Sequence, residues 1–215
     1  MVFDLRLKKN FKLFLSGPSG CGKTTFITKM IQNLDKIVAQ PPENIIYFYS
    51  TFQPKFEFLK NNYGVLFVED NEKIIDQLKE LNSTALVIFD DMINSENLKQ
   101  IALLFTVYGR HLKLSLAFLS QRLFSNNEFF RQISQNSDYL VVFKNPRNTM
   151  DIRILGGQMT PKSNDLVQIY QRATEKPYSY IFINLTQEAI PQLKFISNIF
   201  AQDHAIPVFV ITDCK

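Results

Sequence analysis

Tryptophan is absent from the 215-residue chain, cysteine occurs twice and glycine only seven times. Cys21 and Cys214 stand at opposite ends of the chain, and Cys21 lies inside a glycine-rich segment. A disulfide scaffold is therefore not expected, and a reducing compartment is. No apolar run approaches the ~18 residues that cross a bilayer, and Asp4 stands where a signal peptide would carry its basic region. The expectation is a soluble, intracellular protein with no membrane partner. Internal repeats and low-complexity tracts are missing as well, and Pro41 and Pro42 read as a loop, not a linker. With 46% hydrophobic and 20% charged residues, the length fits one globular domain over residues 1–215. A second module of roughly a hundred residues is not expected.

Excess charge is also small. A formal +4 does not announce a nucleic-acid binder, but it is unevenly placed. Between Phe105 and Arg153, seven basic residues (Arg110, Lys113, Arg122, Arg131, Lys144, Arg147 and Arg153) face three acids (Glu128, Asp138 and Asp151), so this window carries the whole excess. Five of the seven arginines fall in it, and their planar fork suits phosphate or carboxylate. Against the missing tryptophan stand twenty phenylalanines. Phe48, Phe67, Phe89, Phe118, Phe143 and Phe182 fall in strand-like runs and read as core filling.

Short β-branched and aromatic runs alternate with longer segments of helical period, the pattern of a three-layer α/β sandwich with a mostly parallel central sheet. Strands are expected at Phe11–Ser16, Asn44–Ser50, Val65–Glu69, Ala85–Phe89, Leu114–Leu119, Tyr139–Phe143, Tyr178–Asn184 and Pro207–Ile211. Helices are expected at Thr24–Ala39, Gln53–Asn62, Asn71–Leu81, Ser95–Tyr108 and Asn127–Gln135, with Ser95 as an N-cap. His111 and His204 lack metal-ligand spacing and read as structural.

Chemistry concentrates in three places. Gly17, Pro18, Ser19, Gly20, Cys21, Gly22, Lys23 and Thr24, followed by Thr25, fit G-x-x-x-x-G-K-[ST] between an expected strand and an expected helix. A loop wrapped around phosphates needs inward backbone N–H groups in conformations that a Cβ obstructs. Lys23 is expected on the β and γ phosphates of ATP, Thr24 on Mg²⁺, and the helix N-terminus adds partial positive charge. Cys21 reads as a small filler and not as a nucleophile. Next, Ala85 to Phe89 run apolar into Asp90 and Asp91, as a buried strand does at the carboxyl edge where ligands bind. Asp90 is expected to hold Mg²⁺ and Asp91 to orient or deprotonate water; an acidic helix-capping pair is the competing reading. Finally, Leu114 to Leu119 end in Ser120 and Gln121. If this strand inserts between the other two, Gln121 points at the γ-phosphate as a sensor, and otherwise it is a surface amide.

These residues carry a resemblance. The phosphate loop, the run Val87–Asp91, the segment Gly109–Phe124 with its strand ending in Ser120 and Gln121, and Leu140–Asn148 occur in an order and spacing that resemble the genome-packaging ATPases of the FtsK–HerA superfamily. They are most similar to those of polinton-like viruses, virophages and adintoviruses. The likeness spans roughly residues 11–160. It implies a P-loop NTPase with an additional-strand, RecA-like core at about 11–185 and a C-terminal extension at about 186–215. It also implies an ATPase that forms a homo-oligomeric ring, a hexamer, and drives double-stranded DNA into a preformed capsid without reading its sequence. Capsid vertex proteins are the further partners implied, and the host cytoplasm, virus factory or virion the location. Lys23 and Thr24 match the family's Walker A positions, Asp90 and Asp91 its Walker B pair, and Gln121 its sensor. Two positions depart from the pattern: Ser120 where the family often has threonine, and Asn148 where an acid commonly follows the arginine.

Hydrolysis in a ring usually takes an arginine supplied in trans. Arg147, after the carboxyl end of a strand, is the favoured candidate and Arg110, before one, the second; solvated surface charge is the alternative for each. Lys113, Arg122 and Arg131 are candidates for the DNA backbone. A small-molecule kinase would carry an arginine-rich lid that this chain lacks, and a GTPase would carry Asn-Lys-x-Asp where Lys144, Asn145 and Pro146 stand. A DNA pump of the same superfamily that serves another process stays open. At this length no nuclease is expected, and grip on DNA is expected to come from several copies around it.

Overall fold

Residues 4–69, 74–92, 96–160, 163–200 and 206–211 are described by the computed structural model. The order is β1 (Lys12–Ser16), α1 (Lys23–Gln32), α2 (Leu34–Ile37), β2 (Asn44–Tyr49), α3 (Lys55–Tyr63), β3 (Leu66–Glu69), α4 (Ile74–Lys79) and β4 (Ala85–Asp90). Then come α5 (Leu98–Leu103), a π-helical turn (Leu104–Tyr108), α6 (Gly109–His111), β5 (Leu114–Ser120), α7 (Glu128–Gln135) and β6 (Tyr139–Phe143). The chain closes with α8 (Met150–Met159), α9 (Ser163–Ala173), β7 (Tyr180–Asn184), β8 (Phe195–Ile196) and β9 (Val208–Phe209).

The strands form one nine-stranded sheet in the order β3, β2, β4, β5, β1, β6, β7, β8, β9. β1 to β6 pair in parallel, and β7, β8 and β9 each run antiparallel to the strand before them. β4 and β5 are buried at every position because helices cover both faces at the centre, which is why they read as unbroken apolar runs. Alternation along the strands feeds two cores. Leu13, Leu15, Ile88 and Leu119 pack with Phe26, Ile27 and Met30 of α1 and with Phe56 and Leu59 of α3. Phe14, Phe89 and Phe118 pack on the opposite layer with α4, α5, α7, α8 and α9. Phe48, Phe89, Phe118, Phe143 and Phe182 are core, as their positions imply, while Phe67 is half-buried; Phe14 stacks on Phe118 at 5.8 Å and meets Phe130 edge-on at 5.5 Å.

Several boundaries differ from the sequence expectation. The single helix expected over 24–39 breaks at Asn33, whose backbone turns to φ −127° and whose amide donates to the Lys29 carbonyl at 2.8 Å. The helix expected from Ser95 begins at Leu98, and Ser95 itself lies outside the described residues, as do Asn71, His204 and Cys214. β7 starts at Tyr180, two residues late, because Tyr178 adopts a left-handed φ of 62°. α8, α9 and β8 are not anticipated by the pattern at all. The stretch after residue 185 adds β8 and β9 to the same sheet.

Candidate active site

β5 lies between β1 and β4, with Ser16 level with Ser120 and Asp90 level with Leu119. All three strands are parallel, so the phosphate loop after β1, the acids ending β4 and the polar pair ending β5 meet at one edge of the sheet. That is the crevice where open α/β sheets bind ligands.

The loop is tied to its neighbour by the Gly17 N–H, which donates to the Ser120 carbonyl at 3.1 Å. Gly20 and Gly22 take φ of 74° and 110°, and Gly22 enters α1 with no side-chain cap, so the N-terminus of the helix opens onto the loop. Lys23 folds over the loop, its Nζ donating to the carbonyls of Gly17 and Pro18 at 2.6 and 3.1 Å. Cys21 is half-buried, and burial pushes its thiol pKa up, which keeps it protonated and fits a filler residue.

Asp90 is buried to 8% exposure, and its Oδ2 accepts a hydrogen bond from the Tyr47 hydroxyl at 2.7 Å. Burial raises its pKa, while the Tyr47 hydrogen bond and the Lys23 charge pull the other way. Asp91 is exposed at φ 58°; its N–H donates to the Leu119 carbonyl at 3.3 Å and its Oδ2 accepts from Gln121 Nε2 at 2.9 Å. Ser120 is fully buried, and its hydroxyl accepts from the Arg122 N–H at 3.0 Å.

A cleft of about 430 Å³ brings these groups together. Ser19, Gly20, Gly22, Lys23, Thr24, Thr25, Asp90, Asp91 and Gln121 line it, with Gly17, Pro18 and Cys21 forming the part of the loop behind. Its size suits a small ligand. The pairing of a Thr24 hydroxyl with an Asp90 carboxylate offers hard oxygen donors, the kind that Mg²⁺ takes while keeping its other positions for water and phosphate. Among the described residues there is no cluster of three or more metal-ligating His, Cys, Asp or Glu side chains.

Neither arginine of the trans proposal touches this cleft. Arg147 is exposed on the turn after β6, at the same sheet edge, with its N–H donating to Asn145 Oδ1 at 3.1 Å. Arg110 is exposed in α6, before β5, and so stands at the opposite edge, where its charge is felt by the buried Lys12 at the start of β1. Asn148 accepts from the N–H groups of Met150 and Asp151 at 3.1 and 3.3 Å, so the residue in the acid's place starts α8. Lys113 and Arg122 flank β5 at its two ends, and Arg131 lies exposed on α7. His111 is an exposed residue ending α6.

Several residues of the site have no counterpart in the sequence reading. Tyr47 reaches Asp90 from β2, and Lys55, from the start of α3, stands on the cleft wall beside Gln53. Tyr178 lies on the wall shared with a second cleft of about 720 Å³ that also contains Phe26, Lys29, Arg172 and Phe200. Tyr178 is 73% exposed on a left-handed backbone, so its ring offers a flat face for stacking a planar group next to the phosphate loop. Unlike a glycine-rich loop, a cross-strand contact leaves no local mark in the sequence.

No helix among the described residues is long and apolar enough to cross a membrane. The structure of B204, the DNA-packaging ATPase from Sulfolobus turreted icosahedral virus, is similar at 14% identity with a TM-score of 0.57, covering 85% of this chain and 96% of that one. The genome-packaging NTPase B204 from Sulfolobus turreted icosahedral virus 2, in complex with ATP-γS, gives 14% and 0.53, over 84% and 95% of the two chains. The cytoplasmic domain of the type VII secretion ATPase EccC of Thermomonospora curvata gives 15% and 0.56, over 87% of this chain and 26% of that one. At such identities these likenesses establish the fold, α/β with a mostly parallel sheet. No curated protein matches the sequence. A family match, in contrast, covers residues 3–184, and by it the chain belongs to the poxvirus A32 protein family.

Proposed function

We propose that this ATPase is a viral genome-packaging motor that translocates double-stranded DNA into a preformed capsid, acting as a homo-oligomeric ring of six around the duplex. One observation carries the catalytic part: the phosphate loop, Thr24 with Asp90, and Asp91 with Gln121 line a single cleft at the carboxyl edge of the sheet. In this reading Gly17 to Thr25 hold ATP, with Lys23 on the β and γ phosphates once it leaves the loop carbonyls. Thr24 and Asp90 hold Mg²⁺, which supplies charge neutralisation on the phosphates when bound. Asp91 orients the attacking water and Gln121 senses the γ-phosphate. Arg147 is the trans-acting arginine, with Arg110 second. The motif spacing supports a place in the FtsK–HerA superfamily near the polinton-like viruses, virophages and adintoviruses, in a single domain over 1–215. Capsid vertex proteins are its docking partners, and the host cytoplasm or virus factory its place of work. Its B204 neighbours are named as packaging ATPases, which favours packaging over another kind of DNA pump.

ATP turnover with and without double-stranded DNA, measured alongside a native mass, tests the proposal. Wild-type protein is expected to form a ring and to hydrolyse faster on DNA, with stimulation falling steeply as salt rises. Lys23→Ala should keep its fold and lose hydrolysis. A strict monomer in every nucleotide state with no DNA response would overturn the motor, and turnover in Lys23→Ala would remove the loop from the chemistry.

A further inference from the structure

Tyr47 lies on β2 directly opposite Ile88 of β4, and Asp90 is two residues further along β4 on the same face. This diagonal relation across paired strands is within reach of a long aromatic side chain. The ring is fully buried, with Phe56 at 5.0 Å and Phe67 at 5.2 Å, so its direction is set by packing. Packing alone would be satisfied by phenylalanine. The added hydroxyl sits where a polar group is costly unless bonded, and it donates to Asp90 Oδ2 at 2.7 Å. Among the described residues this is the side-chain hydrogen bond that the Asp90 carboxylate receives, since Lys23 Nζ is engaged with the loop carbonyls.

A carboxylate turns freely about its last torsion, over a broad, roughly two-fold range. Held at one oxygen by a donor that cannot itself move, it turns in one way only. We infer that Tyr47 is a positioning residue for the metal site: its hydroxyl fixes Asp90 so that the carboxylate is presented to a divalent cation before nucleotide arrives. The inference rests on the reading of Asp90 as a metal ligand. Tyr47 does not line the cleft and acts through Asp90. Ordering a ligand in advance matters here because Thr24 and Asp90 are two ligands from two different elements, and a wandering carboxylate would lower the affinity of the pair.

The test uses Mn²⁺ as a paramagnetic probe, read by electron spin resonance on the full chain with a non-hydrolysable ATP analogue. A parallel titration with a fluorescent nucleotide in chelator reports metal-free binding. Tyr47→Phe is expected to weaken Mn²⁺ binding about tenfold or more while changing metal-free nucleotide affinity by less than about twofold. Asp90→Asn should lose the tight Mn²⁺ signal, and adding Tyr47→Phe to it should cost nothing further, because the hydroxyl would have no carboxylate left to place. Wild-type Mn²⁺ affinity in Tyr47→Phe, or full additivity in the double variant, would overturn the inference and leave the metal site standing. Equal loss of metal-free binding in Tyr47→Phe would overturn it too, by assigning the tyrosine to the fold. Mn²⁺ binding that does not depend on Asp90 in the wild-type background would remove the metal-site reading itself.

Discussion

Asp90 and Asp91 are adjacent in the chain and opposite in environment. Asp90 ends β4 inside the sheet, buried and hydrogen-bonded to Tyr47. Asp91 leaves the strand through a left-handed turn at φ 58°, a conformation that costs a non-glycine residue about 1 kcal/mol or more and places its carboxylate beside the Gln121 amide. The two side chains form one unit at 2.9 Å, so under the proposed sensor role a change at the γ-phosphate that moved Gln121 would also free or hold Asp91. Asp91→Asn preserves size and the ability to accept that hydrogen bond but cannot take a proton. ATP affinity should be unchanged and kcat lower by ~10²-fold or more, as read by nucleotide titration and steady-state hydrolysis. Full activity would mean that another group handles the water. Lys23, Thr24, Asp90 and Asp91 are legible in the sequence because each stands within a residue or two of the strand or helix end that places it. Tyr47 is not, because it meets Asp90 from 43 positions away and only the pairing of β2 with β4 joins them. The turn at Tyr178 is likewise hidden, having no glycine to announce it.

Elements with a strong apolar rhythm are read well, and those without it are missed. β6 matches its expected range of Tyr139–Phe143, and β2 and β5 differ by a residue at one end, since strands with both faces largely covered carry mostly apolar side chains. In α8, Gly156 and Gly157 stand in the helix interior, where each costs ~1 kcal/mol relative to alanine. The helix forms because Ile152 and Leu155 are buried against the body of the protein, a tertiary gain that no local propensity carries. The helical segment ahead of β5 shows a subtler gap. Its period is correct, but the π turn Leu104–Tyr108 widens it just before Gly109. A Cβ at Gly109 would stand 2.7 Å from the Leu104 carbonyl oxygen and 3.1 Å from a methyl of Leu116. The first is backbone and cannot step aside, so the glycine is there for space and not for its φ, which is helical at −55°. Gly109→Ala should therefore destabilise the protein by roughly 1–3 kcal/mol, as overpacking does, and lower the thermal midpoint. An unchanged midpoint would mean that the wide turn relaxes to an ordinary helix at no cost.

At the scale of the molecule, the sheet divides the basic window between its two edges. Arg147 and Arg122 follow the carboxyl ends of β6 and β5, beside the phosphate cleft, while Arg110 and Lys113 precede β5 at the far edge. A seven-residue strand spans roughly 20 Å, so Lys113 and Arg122 do not form one short stripe along a DNA backbone. For a ring, the same geometry ranks the two arginines. Head-to-tail assembly sets one surface of a subunit against a different surface of the next. An arginine at the level of the clefts needs only a rotation about the ring axis to reach the neighbouring γ-phosphate. From the far edge, Arg110 would need a tilt or shift of the whole subunit by about a strand length. Arg147 is therefore the arginine expected to act in trans, and complementation can decide it. On this assignment Arg147→Ala would retain an intact cleft and lack the finger, and Lys23→Ala would retain the finger and lack a working cleft. Each is expected to be inactive alone by ~10³-fold or more. Mixed in equal amounts, they should regain a fraction of wild-type turnover at those interfaces where an intact cleft faces an intact arginine. The same mixture made with Arg110→Ala should stay close to the sum of its separate activities. Recovery with Arg110→Ala and none with Arg147→Ala would reverse the assignment and place the far edge of the sheet at the subunit interface.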